Sequence, residues 1–257
     1  MSTRVDYDVV AARYGHRYLQ NDYAGLRRAL FTFLLSGARA HHKRVLDIGC
    51  GTGHWLRVLR DANVPAVGVD RSEQMLRIAQ RSVNDAQLAR ARAEELPFVS
   101  VCFDRLICIN ALHHFSDHSA FFREARRILR PGGALLTVGL DPQRGADRWW
   151  VYDYFSETLV EDRKRYPASE EIRAGMAIAG FVRCETAEVQ RFARQMSLRE
   201  AVDGGFLDRT STSQFMVISQ LAYEAGVARV HSAAADAPHE KLFHVDLRLY
   251  GTTGCAA

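Results

Sequence analysis

Three closely spaced glycines follow a short apolar run in the segment VLDIGCGTG at residues 45–53. Gly49, Gly51 and Gly53 permit positive φ angles and let a ligand come close to the main chain. A dinucleotide-binding fingerprint, G-x-G-x-x-G, would need glycine at position 54, where the chain has His54. The sequence also lacks the phosphate-binding pattern G-x-x-x-x-G-K-[ST]. The spacing therefore indicates a ligand loop that needs no phosphate site.

Alternating strands and helices position this loop. From Val45 to Gly139 the pattern predicts five strand–helix units in series, with strands at RVLDIG, VPAVGVD, QLARAR, FDRLICIN and ALLTVGL. Such a series favours an α/β fold with a doubly wound, mostly parallel sheet. In open sheets of this kind, ligands bind at the carboxyl ends of the strands, where the glycines stand.

A carboxylate at the end of the second strand adds a second clue. Asp70 lies 17 residues after Gly53, where a carboxylate can accept hydrogen bonds from both hydroxyls of a ribose. An adenosine joined to an amino acid fits both clues, because it has a ribose and needs no phosphate site.

The chain resembles the class I S-adenosylmethionine-dependent methyltransferases, in particular the small-molecule branch called type 11. Five motifs in order carry the resemblance: VLDIGCGTG, VGVDRSEQML, AEELPF at 93–98, FDRLICINALHHF at 103–115 and LRPGGALLTVG at 129–139. The resemblance implies a Rossmann-like sheet of seven strands with helical cap insertions. It also implies S-adenosyl-L-methionine as cofactor, S-adenosyl-L-homocysteine as product and no metal.

The resemblance implies roles by position. It places the loop Gly49–Gly53, with Asp47 before it, under the methionine part of the cofactor, and Asp70 on the ribose hydroxyls. The remaining cofactor contacts that it implies are Arg71, Met75, Ala93, Glu94, Asn110 and Ala111. Many relatives carry an acid where this chain has Arg92, so the adenine amino group must meet a carbonyl, Glu94 or water instead.

Two histidines follow the fourth strand at the mouth of the expected site. Histidine suits proton transfer near neutral pH, so His114 and His113 are candidate general bases, His114 being favoured because relatives often place a polar or aromatic residue there. The alternative is that one ring packs against a helix and the other binds a loop carbonyl. Cys50, inside the glycine loop, is expected to pack rather than to react.

Aromatic residues after the fifth strand are the candidate substrate contacts. Trp149, Trp150 and Tyr154 stand where this family inserts elements that cover the substrate, and they could wall an apolar pocket or merely fasten the cap. In the N-terminal segment, which in relatives often folds over the cofactor, Tyr14 and Arg17 are candidate cofactor contacts. The basic run Arg163-Lys164-Arg165 is expected to be a solvated helix face.

The chain is expected to be one methyltransferase domain of 257 residues. Its predicted parts are an N-terminal helical lid at 1–42, a cofactor-binding core at 43–140, cap insertions at 141–166 and 191–240, and a last strand at 241–251. The five cysteines are odd in number and form no C-x-x-C pair, which argues against a disulfide framework or a zinc site and favours a reducing cytoplasm. No window approaches the length of a membrane span.

Charge and motifs bear on the acceptor. The net charge of +4 comes from 34 basic and 30 acidic residues interspersed along the chain, so no nucleic-acid partner is expected. The fourth strand ends in INALHHF and not in an [ND]-P-P-[YFW] sequence, which counts against methylation of nucleobase amino groups. We therefore expect O- or N-methylation of a small metabolite or natural-product intermediate, by a protein that can form a homodimer. The alternatives are an RNA or protein acceptor, or a non-catalytic binding protein on the same fold.

Overall fold

Eight strands form one sheet in the computed structural model, which describes residues 15, 18, 21–36, 44–235 and 242–257. The first five strands are β1 Val45–Ile48, β2 Ala66–Asp70, β3 Gln87–Arg90, β4 Phe103–Ile109 and β5 Leu129–Gly139. They are parallel to one another and lie in the order β3-β2-β1-β4-β5. The predicted doubly wound, mostly parallel α/β sheet is confirmed.

Helices cover both faces of this sheet. They are α1 Ala24–Leu35, α2 His54–Asp61, α3 Glu73–Ser82 and α4 His118–Ile128. Side chains alternate along β4, so that Leu106 packs on the face with α4 while Ile107 packs on the face with α1 and α2. Ser72 caps α3 by accepting a hydrogen bond from the Met75 N–H at 3.1 Å, as the sequence predicts.

The chain then adds further sheet strands and a set of cap helices. The elements that follow are β6 Arg148–Trp149, α5 Trp150–Tyr154, α6 Ser156–Arg165, α7 Ser169–Ile178, β7 Phe181–Ser197, α8 Leu198–Asp203, α9 Ser213–Val217, α10 Gln220–Ala235 and β8 Leu242–Ala256. Of these, α7 packs beside α4 on the core of the sheet, and we call α5, α6 and α8 to α10 the cap. β8 runs antiparallel to β5, β6 and β7. The two-residue β6 makes the sheet eight-stranded, where the resemblance implied seven.

Two boundaries differ from those expected. Residues 191–197, assigned to the second insertion, continue β7, and β8 reaches Ala256 instead of ending at 251. β8 continues through Gly254 because the glycine leaves room for its neighbours: a Cβ there would lie 3.1 Å from the Phe181 Cβ. Within the described residues, no helix is long and apolar enough to cross a bilayer.

Candidate active site

The glycine loop adopts the backbone that its composition predicts. Gly49, Gly51 and Gly53 all have positive φ, at 75°, 53° and 80°. A Cβ on Gly49 would lie 2.4 Å from the Cβ of Ala111, so no other residue fits there without moving β4's end. The loop therefore passes close against the end of β4 and presents bare backbone to the space above it.

Asp70 holds the loop in place. Its two carboxylate oxygens accept hydrogen bonds from the N–H groups of Gly51 and Ser72, each at 2.9 Å. Burial raises the pKa of this carboxyl, against the lowering effect of the two backbone donors. The carboxylate is thus oriented by the protein, and each oxygen keeps a lone pair for a further donor.

Asp47 is a second buried carboxyl beneath the loop. It is 1% exposed, and its Oδ2 has no hydrogen-bond partner among the described residues. Burial, together with the charge of Asp70, raises its pKa to about 8. A cationic or hydrogen-bond-donating group above the loop would stabilise the ionised form of this carboxyl.

A cleft opens over the glycine loop, and we call it the loop cleft. Of the predicted cofactor contacts, its walls contain Gly49, Gly51, Asp70, Arg71, Met75, Ala93, Glu94, Asn110 and Ala111, together with His114. Asp47 and Gly53 are not among the residues that line it: the first is buried beneath the loop and the second is the N-cap of α2. Tyr14 and Arg17 lie outside the described residues.

Sequence reasoning missed the polar group at one end of the loop cleft. Ser116 donates from its N–H and its hydroxyl to the Glu94 carboxylate at 2.7 and 2.6 Å, and the Arg92 guanidinium lies 3.5 Å from the same carboxylate. Burial works against ionisation, but Ser116 and Arg92 outweigh it and lower the pKa of Glu94 to about 2. Arg92, the departure from the family pattern, thus pairs with Glu94. Only the position of Ser116 directly after the HHF sequence could have suggested it.

A second and larger cavity lies beside the loop cleft under the cap, and we call it the cap cavity. It measures about 400 Å³ and is lined by aromatic, aliphatic and hydroxyl side chains from the cap, β7 and β8. Asn110 lines both cavities. This residue ends β4 with a φ of 54°, a left-handed conformation that asparagine tolerates better than most residues. The loop cleft and the cap cavity therefore meet at Asn110.

The two histidines divide between the two cavities. They occupy a short 3-10 turn at Leu112–His114, which sends His114 to the loop cleft and His113 to the cap cavity. The His113 ring stacks on the Tyr166 ring with centroids 4.0 Å apart and an interplanar angle of 19°. A histidine aimed into the cap cavity is in the position that proton transfer to or from a bound molecule requires.

The cap aromatics have different surroundings. Trp149 is half-buried and lines the cap cavity, while Trp150 also lines it but is 3% exposed and packs on Phe215 and Phe243. Tyr154 does not line the cavity, because its ring packs on Phe243 at 5.4 Å within the same apolar cluster. The structure therefore brings two of the three predicted aromatics to the cavity.

A buried acid fastens the cap. The Asp162 carboxylate, fully buried, accepts hydrogen bonds from the Tyr152 hydroxyl at 2.8 Å and the Gln214 amide at 2.9 Å, and it pairs with Arg165 at 2.5 Å. The Arg165 side chain is only 8% exposed, so the expectation that the run 163–165 is a solvated face is wrong for Arg165. The pair with Asp162 compensates its burial, which composition alone cannot show.

Comparisons with known proteins agree with the motifs. The family model Methyltransf_11, a methyltransferase domain, matches residues 46–137. The uncharacterized methyltransferase YcgJ of Bacillus subtilis is 37% identical over 105 residues, 39% of this chain and 41% of that protein. The demethylmenaquinone methyltransferase of Thermotoga maritima is 33% identical over 121 residues, 46% of this chain and 53% of that protein. The chain thus spans about half the length of these curated relatives, or less.

The fold extends further than the sequence match. A crystal structure from Anabaena variabilis, of a protein proposed to be a methyltransferase of an antibiotic biosynthesis pathway, aligns with a TM-score of 0.69 and 24% identity. The alignment covers 88% of this chain and 96% of that one. The sequence comparisons agree with the family that the five motifs indicate, and the structural comparison shows a shared fold.

Proposed function

We propose that this chain, a member of the class I S-adenosylmethionine-dependent methyltransferases, transfers a methyl group to an oxygen or nitrogen of a small metabolite or natural-product intermediate. One observation supports this most: a loop cleft suited to the cofactor and a separate cap cavity of about 400 Å³ share Asn110 as a lining residue. A methyl donor and a methyl acceptor need two such spaces that meet at one point.

The residues of the loop cleft fit S-adenosyl-L-methionine. The space against Gly49 would be filled by any Cβ, and Asp70 presents oriented oxygens suited to a ribose diol. The unpartnered Oδ2 of Asp47 leaves a polar group beneath the loop that can form a further hydrogen bond. Glu94 is ionised at neutral pH because its pKa is about 2, so it is an acceptor for an amino group such as that of adenine.

Bound there, the cofactor supplies a methyl group on a positively charged sulfur. The contribution of the protein is then mainly alignment, since holding two reactants in line can lower a barrier by about 7–11 kcal/mol. In this proposal the acceptor approaches from the cap cavity past Asn110, which lines both spaces. The aromatic and aliphatic side chains of the cap cavity would contact the apolar part of the acceptor.

A hydroxyl acceptor also needs a general base, which contributes roughly 100-fold to 10,000-fold in rate. His113 faces the cap cavity and is therefore placed to take the acceptor's proton, held by the Tyr166 ring. His114, which the sequence favoured, faces the loop cleft and is assigned a contact with the cofactor. Replacing each by Asn separates the roles: His113→Asn should lower kcat, whereas His114→Asn should weaken cofactor binding.

The proposal of a small-molecule acceptor is supported by the aromatic side chains that line the cap cavity, among them Trp149, Trp150 and Phe192. The Thermotoga maritima relative is named for a small organic acceptor, demethylmenaquinone. An assembly as a homodimer and a cytoplasmic location remain part of the proposal, as does the division of the chain into lid, core and cap.

Calorimetry and mass spectrometry test the proposal. The protein should bind S-adenosylhomocysteine with micromolar affinity and NAD far more weakly. Incubated with labelled S-adenosylmethionine and a cell extract, it should place label in the small-molecule fraction. Label confined to RNA or protein would support the rival acceptors, and tighter binding of NAD would overturn the cofactor assignment. Cofactor binding without any methyl incorporation would support the alternative of a non-catalytic binding protein on this fold.

A further inference from the structure

One wall of the cap cavity is a two-stranded ribbon with a single charge on its inner face. Side chains alternate along strands, and the cavity is lined by Phe192, Arg194 and Met196 from β7 and by Val245, Leu247 and Leu249 from β8. Arg194 pairs in register with Val245. Five of these six side chains are apolar, and Arg194, whose side chain is exposed, is the one charged residue that the ribbon contributes to the cavity.

Arg194 has no ion pair within the described part of the chain. Its guanidinium stands over the Phe206 ring at 4.9 Å. Glu200 is near enough that hydrogen bonds from Ser197 and the charge of Arg194 together lower its pKa, but its carboxylate is held at the start of α8 by Ser197. Asp208, which also lines the cap cavity, accepts two hydrogen bonds from Thr210. Arg194 thus brings to the cavity a guanidinium with donors for an anionic group.

The register of the sheet fixes how far this charge lies from the reaction point. Tyr250, next to Leu249, pairs with Gly139 at the end of β5, and Asn110 is bonded to Val138 of the same strand. From Leu249 to Val245 is four residues, or about 13 Å of strand. An arginine side chain is several ångströms long, so a group that it binds can lie nearer to Asn110 than this strand distance.

We propose that Arg194 recognises an anionic group on the acceptor, a carboxylate or phosphate carried at the end opposite to the methylated atom. The inference deepens the proposed function and rests on it. The acceptor is then an amphipathic molecule with an apolar or aromatic body along Phe192, Leu247 and Trp149. Its acid lies roughly 8–13 Å from the nucleophile, by the strand spacing. Arg194 is a specificity-determining residue and takes no part in the chemistry.

A matched series of probes tests the proposal by direct binding. ω-(4-Hydroxyphenyl)alkanoic acids of increasing chain length and their methyl esters carry the same nucleophile and body, with and without the charge. They are titrated into protein saturated with S-adenosylhomocysteine. The parent should bind the best acid at least about tenfold more tightly than its ester, the effect of a hydrogen bond to a charged group, and affinity should peak at an intermediate length.

Arg194→Gln should abolish the preference for the acid while leaving the ester and S-adenosylhomocysteine bound as before. Arg199→Gln is the matched control, because that side chain is 90% exposed, pairs with Asp203 and does not line the cavity. The proposal is overturned if acid and ester bind equally to the parent, if neither binds to cofactor-loaded protein, or if Arg194→Gln keeps the preference. Failure to bind S-adenosylhomocysteine would instead refute the proposed function, so the two results are distinct.

Discussion

Replacing Asp70 by Ala should remove the ribose contact and little else. Two charge-assisted hydrogen bonds to a diol would be lost, which should weaken S-adenosylhomocysteine binding by about 2–4 kcal/mol, or roughly 30-fold to 1,000-fold. The N–H groups of Gly51 and Ser72 also lose their acceptor, but the open cleft lets water replace it. Relief of the burial that raises the Asp70 pKa offsets part of the cost. The free energy of unfolding should therefore fall by only about 1–2 kcal/mol.

Calorimetric titration with S-adenosylhomocysteine measures the first quantity and urea denaturation the second. Glu73→Ala is the matched control: this neighbouring acid is exposed, pairs with Arg77 and Arg90, and lies outside the loop cleft. It should leave cofactor affinity unchanged. Parental affinity in Asp70→Ala, or an equal loss in Glu73→Ala, would refute the ribose assignment, since the structure gives the two carboxylates different surroundings.

The buried acids and the cap tryptophans provide further tests. The pKa of Asp47 is raised from 3.8 to about 8, so the stabilising effect of its protonated form is complete below about pH 4 and is lost as pH rises to about 8. Relative to the parent, Asp47→Asn should therefore gain about 2–5 kcal/mol in the free energy of unfolding across that range. Urea denaturation at several pH values would detect or exclude this gain. Asp162→Ala leaves the buried Arg165 without its carboxylate partner and should lower the free energy of unfolding by about 3–5 kcal/mol. Glu161→Ala breaks the pair with Lys164 at the same spacing on the helix surface and should lower it by under about 1 kcal/mol. Equal losses in the two variants would contradict the buried network. Trp149→Phe should raise the KM for the acceptor and leave S-adenosylhomocysteine affinity within about 1 kcal/mol of the parent. Trp150→Ala should lower the free energy of unfolding by about 3–5 kcal/mol. If instead Trp149→Phe lowers stability and Trp150→Ala raises KM, Trp149 is the packing residue.

The cofactor half of the site could be predicted from sequence because its signals are local. Positive φ at Gly49, Gly51 and Gly53, and a strand ending at Asp70, each follow from the residues within a few positions. The right-handed crossover rule for parallel strands sets the hand of each connection, whereas the strand order is a finding of the structure. What spacing could not show is that the Asp70 carboxylate binds the loop's own backbone, a contact that joins two turns 19 residues apart.

The cap resisted prediction for a different reason. A burial pattern read from hydropathy treats each charge as exposed, so the basic run at 163–165 looked like one solvated face. In the structure Lys164 is exposed while its neighbour Arg165 is buried against Asp162. Only the partner decides between these outcomes, and Gln214, the third member of that network, lies 52 residues from Asp162. Pairing across such distances leaves no local pattern.

The difference between local and long-range contacts also separates the two cavities. The loop cleft is built from turns that follow strands of the core, so folding of the core is enough to bring its lining residues together. The cap cavity is built from β7 and β8, with β6 and α9 added, and its inner face depends on strand register. A register slip of one residue would turn Arg194 and Phe192 to the outer face and bring Arg191 and Ala193 inward. The bulge between Glu188 and Gln190 sets that register just before the cavity begins. Under the proposed function, acceptor specificity therefore depends on the ribbon that begins at this bulge and cofactor binding depends on the core, and Asn110 lines the cavity of each.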